Sequence, residues 1–326
     1  MKLSVHLVRE PDPVALAHLR ANLETEVDLT FGPELPVPAD YHILVAGRPW
    51  RDHLTASPNL RALIIPWAGL PEATRDLMRD SPHIAVHNLH HNAVPVAEMA
   101  ATLMLAAAKL VVPLDRALRA QDWTPRYHHP DPTILLEGKT ALILGYGAIG
   151  QRVAHLCRAF GTKVMAIRRH ASAPSPIPGQ VYPPDALHRL LPKANVLIIC
   201  LPQTPETTGL IGERELALLP PGAILVNVGR GPIVDEAALY HALRGRTLHS
   251  AGLDVWYNYP ADEASRPHTP PSAYPFHELD NVVMSPHRAG GSDESGMRRM
   301  THLAALLNAA ARGEEMPNQV DLQAGY

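Results

Sequence analysis

Thr140-Ala-Leu-Ile-Leu144 runs directly into Gly145-Tyr-Gly147-Ala-Ile-Gly150 and then into Gln151–Phe160. The apolar run reads as a buried strand, the glycine cluster as a tight turn, and the segment beyond as a helix. A G-x-G-x-x-G turn between strand and helix has a physical purpose. The first glycine permits the turn, the second lets backbone approach a pyrophosphate, and the third lets the helix pack closely. The helix start adds free amide hydrogens and a dipole that favour an anion. Gly145, Gly147, Ala148, Ile149 and Gly150 are therefore expected to cradle a dinucleotide.

The next strand, Lys163-Val-Met-Ala-Ile167, ends at Arg168-Arg169. A site that prefers NAD places Asp or Glu here for the ribose hydroxyls, and a carboxylate repels a 2′-phosphate. Guanidinium groups bind a phosphate through paired charge-assisted hydrogen bonds. The expected cofactor is NADP(H), with NAD(H) as the weaker alternative.

Working outward, short apolar runs alternate with helical patterns along the whole chain. Strands are expected at Leu3–Val8, His42–Val45, Ala62–Ile65 and Ile84–Val86, before a long helix over Pro95–Ala120. After residue 140 a second series follows at Thr140–Leu144, Lys163–Ile167, Val196–Cys200, Ala223–Asn227, His249–Leu253 and Val282–Met284, and a last helix spans about Asp293–Ala311. Strand-helix alternation implies parallel, doubly wound sheets. The fold class is α/β, with two Rossmann-like domains: a cofactor domain over 103–287 inserted into a flavodoxin-like catalytic domain made of 1–102 and 288–326.

Bulk composition narrows the function. The 326 residues carry a formal net charge of −3, which gives no basic excess for nucleic acid. The N-terminus lacks a signal-like apolar core, and the apolar stretch Val94–Leu114 is interrupted by Glu98, Lys109 and prolines, so no membrane partner is expected. Prolines number 33, about twice the usual share of about 5%, and concentrate in Pro174–Pro184 and Pro260–Pro275, read as stiff surface loops. Cys157 and Cys200 read as buried free thiols and point to a cytoplasmic setting. Histidines number 19, and His83, His87, His90 and His91 lie close together, but no cysteine or helical spacing joins them and no metal site is expected. His128-His129 reads as loop.

Several further segments stand in order after the glycine turn: Leu201-Pro-Gln-Thr-Pro-Glu-Thr-Thr-Gly-Leu-Ile211, Asn227-Val-Gly-Arg-Gly231, Ala251-Gly-Leu-Asp-Val255 and Ser285-Pro-His287. With Val96-Ala-Glu98 ahead of them, they resemble the D-isomer-specific 2-hydroxyacid dehydrogenases, over roughly Asn92 to Leu307. The resemblance is to the glyoxylate/hydroxypyruvate reductase-like, NADP-type members. It implies hydride transfer between the dinucleotide and a small 2-oxo or 2-hydroxy acid, in a homodimer, with the substrate in a cleft between lobes.

The resemblance also implies individual roles. His287 matches the family's acid/base histidine, and histidine titrates near enough to neutrality to give or take the hydroxyl proton. Arg230 matches the substrate-binding arginine, whose planar fork suits an α-carboxylate beside a reacting carbonyl. Pro202, Thr207, Val228, Gly229, Asp254 and Gly290 are expected along the cofactor. Ala68 and Gly69 are expected to offer amides to the substrate carboxylate, with Trp50 and Trp67 as walls and Arg48 and His91 toward its distal end.

One position departs from the pattern. Where the family places the glutamate that charges its histidine, five residues beyond Asp254, this chain has Tyr259. A phenol stays neutral at pH 7 and favours the imidazolium less than a carboxylate does. Tyr259 is thus a candidate catalytic partner, with Asp262 or Glu263 as substitutes, and the acidic limb of activity is expected to sit lower. The departure leaves two other readings open: a dehydrogenase of another small anion, such as formate or a phosphorus oxyanion, and a non-catalytic dinucleotide sensor like the family's corepressors.

Overall fold

The structure, a computed structural model, describes residues 2–24, 26–128, 132–171, 175 and 180–323. The expectations for His129 and, within Pro174–Pro184, for Pro174 and residues 176–179 lie outside the described residues. The chain divides into two units, 1–92 with 291–326, and 93–290.

In the first unit, strands β1 (Leu3–Leu7), β2 (Val27–Phe31), β3 (Ile43–Val45), β4 (Ala62–Ile65) and β5 (Ala85–Asn88) form a parallel sheet in the order β2-β1-β3-β4-β5. That is the flavodoxin-like order. β3 and β4 are buried along their whole length, so they read as unbroken apolar runs, as central parallel strands should. The edge strand β2 was not expected. Val27-Asp-Leu-Thr-Phe31 is only partly buried, and its two polar residues dilute the apolar signal. The helix Ser295–Ala311 packs with Pro13–Asn22 on one face of the sheet, through Leu19, Met300, Leu303 and Leu307. The C-terminal segment returns to β5, where the Val320 amide donates to the Val86 carbonyl.

The second unit has β6 (Thr140–Leu144), β7 (Lys163–Ile167), β8 (Val181–Tyr182), β9 (Val196–Ile199), β10 (Ala223–Asn227), β11 (Leu248–Leu253) and β12 (Val282–Met284). All seven are parallel, in the order β12-β11-β10-β9-β6-β7-β8. Strand order reverses between β6 and β9, which makes the carboxyl ends of these two strands the topological switch point, where open α/β sheets take their ligands.

The expected single helix over Pro95–Ala120 is two helices, Ala93–Ala108 and Val111–Arg119, meeting at 66°. The cause is Pro113. In a continuous helix its ring would clash with the carbonyl of Lys109 and remove a hydrogen bond. Leu110 instead adopts φ 51°, and the helix restarts so that Pro113 falls in a first turn, which needs no amide donor. Among the described residues no single helix is long and apolar enough to cross a membrane.

Helix Ala93–Ala108 packs on β10, β11 and helix Ala148–Ala159, and therefore belongs to the second unit. The sequence-based boundary at 102/103 falls inside it. Gly252 of β11 permits the close approach: a Cβ there would lie 2.7 Å from the Leu103 Cβ.

Candidate active site

The glycine turn is built at the switch point. A Cβ on Gly145, at φ 94°, would stand 2.9 Å from the Cys200 carbonyl, so only glycine lets β6 turn beneath the end of β9. A Cβ on Gly150 would stand 2.0 Å from the Gly145 carbonyl oxygen, which fixes the start of helix Ala148–Ala159 against the turn. A Cβ on Gly147 would meet no protein atom within 4 Å. Packing within the protein therefore does not demand glycine at 147; an exposed backbone surface at a helix start, suited to a diphosphate, does. Arg168 follows β7 at the same end of the sheet, and its guanidinium lies 5.9 Å from the ring centre of Tyr146. These features fit a phosphorylated dinucleotide.

Across the switch point, the 202–207 turn is held by its own hydroxyls. Thr207 Oγ1 donates to the Pro202 carbonyl at 2.8 Å and accepts the Thr204 amide at 2.8 Å. At the end of β10 the buried Asn227 folds the next turn. Its Oδ1 accepts the Gly229 amide at 3.0 Å, and its Nδ2 donates to the Arg230 carbonyl at 2.9 Å. Val228 is buried beneath this turn, and Arg230 Nη1 donates to the Gly229 carbonyl at 2.8 Å.

Beyond β11, Asp254 is 1% exposed and holds three protein donors. It accepts the Ser285 hydroxyl at 2.5 Å and the Arg288 and Ala289 amides at 2.9 and 3.1 Å. It thereby ties down the loop after β12, within which His287 adopts φ 56°. A non-glycine residue in that region costs about 1–3 kcal/mol and persists only where its surroundings over-determine it. The Asp254 anchor is such a determinant.

Tyr259 Oη lies 2.9 Å from His287 Nδ1 and accepts the Trp256 amide at 3.2 Å. Burial, and next the Arg230 guanidinium, push the His287 pKa below its ordinary value, while the Asp254 carboxylate pulls the other way. Burial raises the Tyr259 phenol, which stays protonated, with the Trp256 amide and Arg230 opposing that rise. Arg230, Asp254, Tyr259 and His287 thus form one electrostatic group at the carboxyl end of the sheet. The two alternative carboxylates are engaged elsewhere. Asp262 accepts the Ser265 amide at 2.8 Å, and Glu263 pairs with Arg266 at 2.8 Å. Burial pushes the Cys157 and Cys200 thiols up to about 12, so neither supplies a thiolate near neutral pH.

Residues 101–289, more than half of the chain, match the NAD binding domain of D-isomer specific 2-hydroxyacid dehydrogenases. The chain belongs to that family. A D-3-phosphoglycerate dehydrogenase of Mycobacterium tuberculosis is 34% identical over 272 residues, 83% of this chain and 49% of that protein. A glyoxylate reductase of Aeropyrum pernix is 39% identical over 230 residues, 69% of this chain and 65% of that protein. This family member thus spans about half the length of the first relative and two thirds of the second. A solved D-isomer specific 2-hydroxyacid dehydrogenase of Xanthobacter autotrophicus, in complex with NADPH and MES, has a TM-score of 0.80 at 26% identity, with both chains covered in full.

Other expected contacts of this family member lie in the first unit. The Ala68 carbonyl accepts Asn88 Nδ2 at 2.7 Å, next to Gly69. Trp67 lies directly over Gly47, where an added Cβ would collide with its ring, and Trp50 is exposed with its ring 5.3 Å from that of His53. Arg48 is exposed and His91 is buried. Ser285 and Asn227 were missed as site residues, although each stands inside a quoted segment. A strand followed by Ser-Pro-His, and an Asn two residues before a glycine, were the available signals.

Proposed function

We propose that this chain reduces small 2-oxo acids to 2-hydroxy acids with NADPH, and that the reverse reaction uses the same groups. The observation that carries the reading is the His287 imidazole, fixed by Tyr259 and by a loop anchored on Asp254, within electrostatic reach of Arg230. When bound, the reduced dinucleotide supplies a hydride to the carbonyl carbon. The glycine turn and the start of helix Ala148–Ala159 would hold its diphosphate; Arg168 and Arg169 would hold its 2′-phosphate. Pro202, Thr207, Val228, Gly229 and Gly290 would line its remaining length.

Arg230 binds the substrate carboxylate, and its charge also favours the negative charge that develops on the carbonyl oxygen. His287 gives that oxygen a proton in reduction and takes it back in oxidation. Tyr259 serves both states. Its hydroxyl oxygen accepts from Nδ1–H of both the neutral imidazole and the imidazolium, which leaves Nε2 to take the proton in oxidation and to give it in reduction. A carboxylate would accept in the same way and add a negative charge that favours the imidazolium. Ala68 and Gly69 would offer backbone amides to the substrate. The exposed apolar side chains Val111, Leu118, Trp123, Tyr127 and Leu135 support a homodimer. The two free thiols, Cys157 buried and Cys200 part-buried, fit a reducing, cytoplasmic setting.

The test is NADPH oxidation against glyoxylate, hydroxypyruvate and larger 2-oxo acids, with formate and phosphite assayed in the oxidative direction. Turnover of a 2-oxo acid that falls about 10²-fold or more in His287→Gln supports the reading. Turnover of formate or phosphite alone replaces it with the other-anion reading, and dinucleotide binding with no turnover replaces it with a sensor.

A further inference from the structure

The fold does not explain why an aromatic residue stands between the first two glycines of the turn. Tyr146 is 2% exposed and packs in the core with Ile143, Ala166 and Val228. Its hydroxyl is sealed from solvent without a hydrogen-bond partner, an arrangement that weakens rather than favours burial. A smaller apolar residue would fill a turn without that penalty. What the ring does provide is a face for Arg168, whose guanidinium carbon lies 5.9 Å from its centroid. That separation is within cation–π range. The backbone of Arg168 is fixed independently, since its amide donates to the Tyr182 carbonyl of β8 at 3.1 Å. Backbone and guanidinium are thus held from two sides at the end of β7.

We infer that Tyr146 is a positioning residue for cofactor choice: its ring face holds the Arg168 guanidinium ready for the 2′-phosphate. This rests on the proposed role of Arg168. An arginine side chain has many rotamers to lose on binding a phosphate, and one already laid on an aromatic face has lost them before the ligand arrives. The ring, not the hydroxyl, performs this function. Removing the ring is expected to weaken NADPH binding by about three- to thirtyfold, the range of such a contact. NADH, which has no 2′-phosphate, is expected to lose less than about twofold.

The experiment titrates intact protein with NADPH and with NADH, following quenching of tryptophan fluorescence, for Tyr146→Leu, Tyr146→Phe, Arg168→Gln and the Tyr146→Leu/Arg168→Gln pair. Near-ultraviolet circular dichroism confirms the fold, and Tyr146→Met, closer in volume, takes the place of the leucine variant where that one does not fold. The expected results are a selective loss of NADPH affinity in Tyr146→Leu, wild-type affinity in Tyr146→Phe, and no added loss from Tyr146→Leu once Arg168 is Gln. Equal weakening of NADPH and NADH, or an undiminished effect in the Arg168→Gln background, overturns the inference and leaves Tyr146 as core. Unchanged NADPH affinity in Arg168→Gln overturns the prior assignment of the phosphate site instead.

Discussion

His91 makes the stability of the first unit depend on pH, by an amount that can be worked out. It follows β5, is 7% exposed, and its Nδ1 is buried without a partner. Burial, and then the positive charges of Arg299, His302 and His90, push its pKa from 6.5 to about 4. In the unfolded chain the same imidazole titrates near its ordinary value. Between the two values the unfolded state therefore holds a proton that the folded state refuses, so stability falls as pH drops through this window. At about 1.4 kcal/mol per pH unit, the full displacement is worth about 3 kcal/mol below pH 4, and the step from pH 7 to pH 5 about 2 kcal/mol. His6, His87 and His90 are lowered as well, mainly by burial, so the whole unit weakens in acid and only a difference isolates His91. The comparison is wild type against His91→Gln in urea, with pulsed hydrogen–deuterium labelling of peptides covering β5. Wild type is expected to lose about 2 kcal/mol more than the variant between pH 7 and pH 5. Parallel losses in the two proteins, or an NMR titration of His91 centred near pH 6, would show that burial does not hold this imidazole neutral.

Tyr259→Glu places a carboxylate against His287 Nδ1 and is expected to move the His287 limb of the pH–rate profile to higher pH, because an adjacent anion favours the imidazolium. An unmoved limb would mean that the profile reports another group. Asp254→Ala frees the Ser285 hydroxyl and the Arg288 and Ala289 amides, and is expected to lower kcat by about tenfold or more, a larger effect than its effect on NADPH affinity. Titration of NADPH beside steady-state rates checks the split. Gly147→Ala adds a methyl where no protein atom stands within 4 Å, so the melting temperature should hold while dinucleotide affinity falls about tenfold or more, about 1.4 kcal/mol. Calorimetry with and without NADPH separates the two effects, and an equal fall in both would place the methyl against the protein.

What was legible in the sequence was legible for local reasons. The strands Thr140–Leu144, Lys163–Ile167, Ala223–Asn227 and Val282–Met284 have the expected bounds, because most are buried on both faces and flanked by turn residues. The two strands that were not expected lack that signal: β2 is half-exposed and β8 is two residues long. The break at Leu110 depended on one proline three positions later, whose consequence is a backbone conformation rather than a composition. The choice among Tyr259, Asp262 and Glu263 was beyond spacing, because a loop can bring any of the three toward β12. In the folded loop each carboxylate already has a partner, Ser265 for Asp262 and Arg266 for Glu263.

The tyrosine at 259 also changes the balance between the two directions of the proposed reaction. A histidine held by a carboxylate is charged more readily and is therefore readier to donate. Here the partner is neutral, and both burial and Arg230 disfavour the charge, so the free imidazole is mainly neutral at pH 7 and poised as a base. A substrate carboxylate seated on Arg230 cancels much of the guanidinium's field at His287. Binding the 2-oxo acid would then itself raise the imidazole pKa and promote uptake of the proton that reduction consumes. On this argument the missing glutamate is replaced in part by the substrate's own negative charge. Substrates lacking a carboxylate should then be reduced poorly even where they fit.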